Sequence, residues 1–270
     1  MIRIGIFDSG VGGLSVWREI VHQWPGVETV YFADQAHIPY GSRPAEEIRV
    51  FGREITGFLM ARACDAIVVA CNAASAASLA VLRAEWPHLP FVGMEPAVKP
   101  AAELSRTRVA GVLATPATFQ GALFATTVER FAAEVRIVQQ VCPGLVERIE
   151  AGDTNGAETR ALLGDFLAPS LRAGADTIVL ACTHYPFVRL VIEELAGPGV
   201  AVIDPAPAIA RQLGRVLPAL GPSEIASNAT PPHREFVTSG NAAEFERVAA
   251  LLLGFPVAAT AVRWQTNRLA

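Results

Sequence analysis

The sequence has little charge and no basic excess. Charged residues make up 18% of its 270 positions, below the roughly 25% that is usual in soluble domains. Its 22 Lys and Arg residues are outnumbered by 26 Asp and Glu, which gives a net charge of −4. We therefore expect no nucleic-acid partner, because general nucleic-acid binding depends on neutralising phosphates. A hydrophobic share of 51% excludes a disordered chain.

Long apolar runs are also lacking. The most apolar stretch, residues 63–82, contains Asp65, Asn72, Ser75 and Ser78, whereas a membrane span needs about 20 mostly apolar residues. The first residues carry no apolar segment behind a basic one, so no signal peptide is expected. The sequence thus predicts a cytoplasmic protein without a membrane partner.

Cysteine is scarce, and no two cysteines are spaced as Cys-x-x-Cys. A structural zinc site is therefore not expected, and neither is any other metal site. The four thiols, Cys64, Cys71, Cys142 and Cys182, should stay reduced in the cytoplasm. We expect these thiols to serve in catalysis or in packing.

Short apolar runs alternate with longer amphipathic stretches. This pattern predicts an α/β protein with two doubly wound, mainly parallel sheets, because parallel strands covered on both faces are apolar throughout. Prolines mark chain breaks near 95–100 and 204–207, and residues 221–232 are typical of a surface loop. We expect strands at 2–7, 30–33, 66–70, 91–93, 109–114, 135–139, 177–181, 201–203 and 235–238, and helices at 14–24, 44–63, 75–86, 117–131, 155–173 and 187–196.

Polar residues that follow strands are the candidate site, because ligands of doubly wound sheets bind beyond the carboxyl ends of the strands. They are Asp8-Ser9, Cys71-Asn72, Thr115, Cys182-Thr183-His184 and Asp204.

Cys71 and Cys182 occupy equivalent places in "VVACNAAS" and "VLACTHYP". Two thiols facing one cleft suit two-base proton transfer, in which one removes a proton and the other returns one to the opposite face. A thiol has a pKa of about 8.5, so a neighbour must help to form the thiolate. His184 would lie on the same side as Cys182 in an extended segment. For Cys64 and Cys142, packing is the favoured interpretation.

The glycine-rich segment 8–15 follows the first strand and permits three interpretations. A dinucleotide site would use Gly10, Gly12 and the acid Asp34, but the third glycine position is Ser15. A tight turn with close helix–strand packing is favoured over it. The third interpretation is a site for a small carboxylate, with an ammonium group near Asp8.

Six blocks in order resemble the glutamate racemases of the aspartate/glutamate racemase superfamily: "IGIFDSGVGGLSV", "YFADQAHIPYGSRP", "VVACNAAS", "GVLATPAT", "LACTHYPF" and "FVTSGNAAEFERVAALLLG". The resemblance implies racemisation of glutamate without a cofactor, to supply D-glutamate for bacterial peptidoglycan and hence for cell-wall biogenesis and cell shape. It implies a homodimer and a pseudo-symmetric pair of domains with the active site in the cleft between them. The first domain would comprise residues 1–96 plus 207–270, and the second residues 97–206.

Residue by residue, the resemblance makes Cys71 the base for D-glutamate and Cys182 the base for L-glutamate. Asp8 and His184 would assist them, and Glu150 matches a family carboxylate near the second cysteine. The substrate contacts it implies are Asp8, Ser9, Tyr40, Gly41, Ser42, Asn72, Ala73, Thr118, Thr183 and His184.

One position departs from the family pattern, since Ala73 stands where Thr or Ser is usual. A lost hydrogen bond to a charged group costs about 1.5–3 kcal/mol if nothing replaces it. An aspartate or other acidic amino-acid racemase therefore remains an alternative. A decarboxylase or isomerase of a small diacid is another, although the related arylmalonate decarboxylases keep only one of the two cysteines.

Overall fold

The structure, a computed structural model, describes residues 2–95, 97–132, 134–217 and 231–269. Pro96 and most of the predicted loop at 221–232 lie outside these residues. The predicted α/β class is confirmed. The elements are β1 Arg3–Asp8, α1 Leu14–Gln23, β2 Glu28–Ala33, α2 Ala45–Met60, β3 Ala66–Val69, α3 Asn72–Glu85, β4 Phe91–Gly93, α4 Val98–Leu104, β5 Val109–Ala114, α5 Pro116–Gln120, α6 Ala122–Phe131, β6 Arg136–Val141, α7 Leu145–Glu150, α8 Ala157–Arg172, β7 Thr177–Ala181, α9 Arg189–Ala196, β8 Ala201–Ile203, α10 Ala206–Val216, β9 Arg234–Thr238, α11 Ala242–Leu253, β10 Ala259–Ala261, β11 Trp264–Gln265 and β12 Arg268–Leu269, with short 3-10 helices at Gln35–His37, Tyr40–Ser42 and Tyr185–Val188.

The larger sheet has six parallel strands in the order β10-β9-β2-β1-β3-β4. Its side chains alternate between two buried layers, as the period of a strand requires. Ile4 and Ile6 face the layer that includes residues of α1, α10 and α11. Phe7 faces the layer that includes residues of α2 and α3. Both faces are covered, which explains the continuous apolar strands.

The smaller sheet has four parallel strands in the order β6-β5-β7-β8. Ile178 and Leu180 of β7 face one buried layer, while Val179 and Ala181 face the other. The chain completes the smaller sheet between β4 and α10, and returns to the larger sheet with β9. This path fits the predicted division into 1–96 plus 207–270 and 97–206, which we retain as a proposal.

The helix predicted at 117–131 is wrong in one respect, because it is two helices separated at Gly121. A Cβ atom at Gly121 would lie 2.7 Å from the Cβ of Ala76, so the chain passes close to α3 here. Glycine is also a poor helix former. Strands β10, β11 and β12 were not predicted from the sequence, because these short segments have no buried residue and lack the continuous apolar run that marks the other strands.

Among the described residues, no helix combines the length and apolarity needed to cross a membrane.

Candidate active site

A narrow cleft lies where strands of both sheets end. Segments following β1 and β3 of the larger sheet and β5 and β7 of the smaller one contribute to its walls. It is lined by Ser9, Pro39, Tyr40, Gly41, Cys71, Asn72, Ala73, Thr115, Val146, Cys182, Thr183 and His184. The cleft therefore lies beyond the carboxyl ends of the strands, where ligands of doubly wound sheets bind.

Cys71 caps the N-terminus of α3. Its Sγ accepts a hydrogen bond from the Ala74 backbone N–H at 3.4 Å, and its side chain is buried. Burial and then the nearby charge of Asp8 raise the pKa of the Cys71 thiol, while hydrogen bonds from the Ala74 and Ser9 backbone N–H groups oppose the shift. Cys71 is therefore protonated at rest and can act first as an acid.

Cys182 lies beside an imidazole. Its Sγ is 3.8 Å from Nδ1 of His184, and both side chains are buried. The sequence-based reason for this contact was wrong, because the segment after β7 is a turn and His184 has helical backbone angles. The turn, not an extended strand, brings the two side chains together.

Glu150, at the end of α7, contacts the other ring nitrogen of His184. Its Oε1 lies 2.7 Å from His184 Nε2 and also accepts the Val11 backbone N–H at 2.6 Å. Its Oε2 accepts Nε2 of Gln35 at 3.0 Å. Burial lowers the pKa of His184, but the contacts with Cys182 and Glu150 outweigh it and raise that pKa well above its usual value. A cationic His184 thus lies between the carboxylate of Glu150 and the sulfur of Cys182.

The glycine-rich segment permits close approach and does not form a dinucleotide site. Cβ atoms at Gly10 and Gly12 would collide with the carboxylate of Glu150 and the imidazole of His184. The space above the turn is thus filled by the protein's own side chains, and a pyrophosphate has no room there. Asp34, the candidate ribose ligand, is fully buried and engaged with protein donors.

We predict that Gly12→Ala removes most of the activity, because the new methyl group must displace the His184 ring from Cys182. Gly57→Ala is the matched control, since nothing lies within 4 Å of a Cβ built there in α2. It should keep full activity and gain up to about 1 kcal/mol of stability. Steady-state rates and urea denaturation of both variants check this. Equal activity in the two variants would contradict the assigned His184 position.

Asp8 is fully buried between the two halves of the site. Its Oδ1 accepts the Gly10 backbone N–H at 2.8 Å, and its Oδ2 accepts the Thr183 hydroxyl at 2.9 Å. Burial raises the pKa of Asp8 from 3.8 to about 6, although the charge of His184 opposes the shift. The ionised form therefore destabilises the folded protein.

Asp8→Asn should accordingly stabilise the fold above pH 6 while reducing activity. The wild-type carboxyl is protonated in both the folded and the unfolded states below about pH 4, so there the penalty is absent. The penalty grows as pH rises through the folded pKa of about 6. It then reaches on the order of 3 kcal/mol. Urea denaturation at pH 4 and pH 8 measures it; a stability gain that is the same at both pH values would refute it.

The amide of Asn72 is the clearest unmet polar group in the cleft. Within the described residues, neither its Nδ2 nor its Oδ1 has a hydrogen-bond partner, although both are buried. A buried amide without partners is costly, so a bound polar ligand would satisfy it.

Most sequence-predicted site residues meet here. Asp8 and Glu150 contact lining residues from behind. Ser42 and Thr118 do not line the cleft: Ser42 lines a neighbouring pocket, and Thr118 bonds to Thr115 at 3.2 Å between hydroxyl oxygens. Asp204, another strand-end residue, instead accepts the Ala206 N–H at the start of α10.

Two lining residues, Pro39 and Val146, were not among the predicted site residues, whereas Thr115 was one of the strand-end candidates. Thr115 carried a signal, because it follows β5. Val146 carried none, since an apolar residue in a helix is usually core.

The model of the Asp/Glu/Hydantoin racemase family matches residues 4–213, well over half of the chain. The chain belongs to this family. It is 51% identical over 253 residues to the glutamate racemase of Pseudomonas aeruginosa, with 94% of each chain covered.

Solved structures of racemases superpose closely. The glutamate racemase isoform RacE1 of Bacillus anthracis matches with a TM-score of 0.87 at 30% identity, covering 99% of this chain and 98% of that one. The Escherichia coli glutamate racemase, in complex with L-glutamate and the activator UDP-MurNAc-ala, matches with a TM-score of 0.83 at 31% identity, covering 96% and 97%. This racemase-family chain is therefore an isomerase, and its sheets match those of solved racemases.

The remaining two cysteines of this racemase-family chain lie outside the cleft lining. Cys64 packs in the core beside α2, where burial raises its pKa to about 12. Cys142 packs against the smaller sheet, and burial likewise raises its pKa to about 12. Both keep the packing role that the sequence predicted.

Proposed function

We propose that this protein interconverts L-glutamate and D-glutamate without a cofactor, using Cys71 and Cys182 as two bases. The observation that carries the proposal is the placement of the two thiols. One follows a strand of each sheet, both line one cleft, and one of them contacts an imidazole. The relatives' names support glutamate as the substrate.

In the direction from L- to D-glutamate, the Cys182 thiolate removes the α-proton and becomes a thiol. The Cys71 thiol donates its proton to the opposite face of the α-carbon and becomes a thiolate. The reverse reaction uses the same two groups in exchanged roles. The electron pair left at the α-carbon delocalises into the substrate carboxylate, where aligned hydrogen-bond donors stabilise it.

The neighbours of the thiols set their resting states. His184, held by Glu150, places a positive charge beside the sulfur of Cys182. Asp8, held by Gly10 and Thr183, keeps Cys71 protonated and positions the loop beside it. The two thiols thus have neighbours of opposite charge.

Substrate contacts in this proposal come from the cleft walls. Asn72 offers an unpartnered amide, and Ser9, Thr183 and His184 offer polar groups. Tyr40 and Gly41 also line the cleft. Ser42 and Thr118 stay predictions from the resemblance, and they would need the cleft to open toward the neighbouring pocket.

The biological role we propose is supply of D-glutamate for peptidoglycan in the cytoplasm. A reducing cytoplasm suits the chemistry, because both thiols must stay unoxidised. We also retain the homodimer as a proposal.

Ala73→Thr should tighten substrate binding. Ala73 lines the cleft in the first turn of α3, and its backbone N–H alone is available for a carboxylate. A threonine hydroxyl would add one hydrogen bond to a charged group, a gain of about 1.5–3 kcal/mol, if it reaches the substrate. The KM for glutamate measures this, with Ala73→Val as the control of equal shape. A KM that falls equally for both variants would assign the effect to shape.

The proposed function is tested by racemisation assays on both enantiomers of glutamate and of aspartate. Loss of optical rotation with either glutamate enantiomer, and little with aspartate, is the expected result. Faster turnover of aspartate would assign the chain to the alternative substrate. No turnover of either amino acid would overturn the proposal.

A further inference from the structure

We propose that Trp264, close to the C-terminus of the described chain, is a positioning residue for racemisation. It acts through the buried carboxylate of Asp34 on the wall of the cleft formed by Tyr40 and Gly41. This inference rests on the proposed function for its kinetic consequences, but its structural part is independent of substrate.

Asp34 is a fully buried carboxylate held by four side chains. Its Oδ1 accepts the indole Nε1–H of Trp264 and the hydroxyl of Ser239, each at 2.7 Å. Its Oδ2 accepts the hydroxyl of Tyr40 at 2.6 Å and lies 2.9 Å from Nδ1 of His37. A buried charge is tolerated only with such partners, so each donor fixes the position of the others.

Tyr40 and its neighbour Gly41 connect this carboxylate to the cleft. Both are buried and line the cleft. A Cβ at Gly41 would lie 2.6 Å from the Cβ of Thr115, at the end of β5 in the smaller sheet. The wall is therefore fixed between Asp34 on one side and the smaller sheet on the other, and a small displacement of Tyr40 changes the width of the cleft.

Trp264 is held so that its N–H points to Asp34. Its ring centroid lies 5.5 Å from that of Phe51 and 4.8 Å from that of His37, both nearly edge to face. Val262, two residues before Trp264, donates its N–H to the Thr238 carbonyl at 2.9 Å, which ties this segment to β9. Packing thus orients the indole, and its one polar atom is used for Asp34.

The residue pair that carries this contact is 230 positions apart, and Trp264 lies beyond residues 4–213 that the family model matches. Nothing in the chemistry of the thiols requires it. Trp264 supplies one of the donors that hold the carboxylate of Asp34, which lies behind the cleft wall formed by Tyr40 and Gly41.

Trp264→Phe keeps the ring and removes the N–H donor. We expect the KM for both glutamate enantiomers to rise about tenfold, the effect of losing one charge-assisted hydrogen bond behind the wall, with a smaller change in kcat. Trp24→Phe is the matched control, because its Nε1–H donates to the Ala210 carbonyl at 2.9 Å, away from the cleft. It should lower thermal stability without raising KM.

A double-mutant cycle with Tyr40→Phe separates positioning from general destabilisation. Tyr40→Phe already cuts the link between Asp34 and the wall, so adding Trp264→Phe should change KM by less than about twofold. KM effects that multiply in the double variant would overturn the proposal. So would a Trp264→Phe enzyme that loses thermal stability and keeps the wild-type KM.

Amide hydrogen exchange measures how well ordered the Tyr40–Gly41 wall is, and it requires no turnover. The Arg43 N–H donates to the Tyr40 carbonyl at 3.1 Å, so its exchange reports the order of this segment. It should exchange faster in Trp264→Phe and at the wild-type rate in Trp24→Phe. Unchanged exchange in Trp264→Phe overturns the positioning role. Faster exchange in a protein that does not racemise glutamate would support the structural tie and overturn the proposed function instead.

Discussion

Replacing either Cys71 or Cys182 by serine should lower kcat/KM for glutamate by about a thousandfold or more, because positioned acid–base groups each contribute about 10²–10⁴ in rate. A serine hydroxyl is a far weaker acid than a thiol, so it neither forms the base nor returns the proton readily. Each turnover uses both thiols, and therefore the two variants should fail alike. Polarimetry from each enantiomer measures the loss.

Both directions must fall by the same factor in each variant. The two enantiomers have equal free energies in water, so the equilibrium constant is one and kcat/KM is equal in the two directions. Cys64→Ser is the matched control, since this thiol is buried in the core and does not line the cleft. It should keep its activity and lose some stability. A Cys71 or Cys182 variant that keeps more than a tenth of wild-type activity would contradict the two-thiol proposal.

Glu150→Gln should lower kcat/KM by about ten- to a hundredfold, the range of a general acid–base partner that is weakened and not removed. The carboxylate lies 2.7 Å from His184 Nε2 and raises the pKa of that imidazole, as does Cys182. Without the negative charge, the pKa of His184 falls toward its usual value. Fewer molecules then carry a positive charge on the imidazole beside Cys182 at neutral pH.

The pH dependence of stability gives the same variant a second signature. Because the folded pKa of His184 is raised, its stabilising contribution is fully present below about pH 6.5 and is lost as pH rises through the folded value. Glu150→Gln should therefore destabilise the protein more at pH 6 than at pH 9. Glu147→Gln is the control, since Glu147 is an exposed residue one turn earlier in α7. Equal losses in Glu147→Gln and Glu150→Gln would refute the assigned role of Glu150.

The sequence was sufficient for those parts of the site that depend on local pattern. Cys71 and Cys182 follow buried apolar strands, and the carboxyl ends of parallel strands share an edge, so their place in the cleft was predictable. The α/β class followed from continuous apolar strands that alternate with helices. Glu150 came from the resemblance alone, because a glutamate in an amphipathic helix has no distinctive spacing.

Contacts between the two sheets could not be predicted from the sequence. Val11 bonds to Glu150 and Asp34 to Trp264 only after the whole chain has folded, at separations of 139 and 230 residues. The small volume of Gly10 and Gly12 is needed for side chains from the other sheet, and no local rule reveals that need. The turn that brings His184 to Cys182 also depends on the end of β7, which a pattern locates only within a few residues.

The fate of the α-hydrogen distinguishes a mechanism with two bases from one with a single base. L-glutamate is incubated with the enzyme in deuterated water, and both enantiomers are analysed early in the reaction. Removal by Cys182 and donation by Cys71 predict D-glutamate that carries deuterium at the α-carbon, while the remaining L-glutamate carries none. D-glutamate that keeps the original hydrogen, or L-glutamate labelled as fast as D-glutamate forms, would contradict a mechanism with two separate bases.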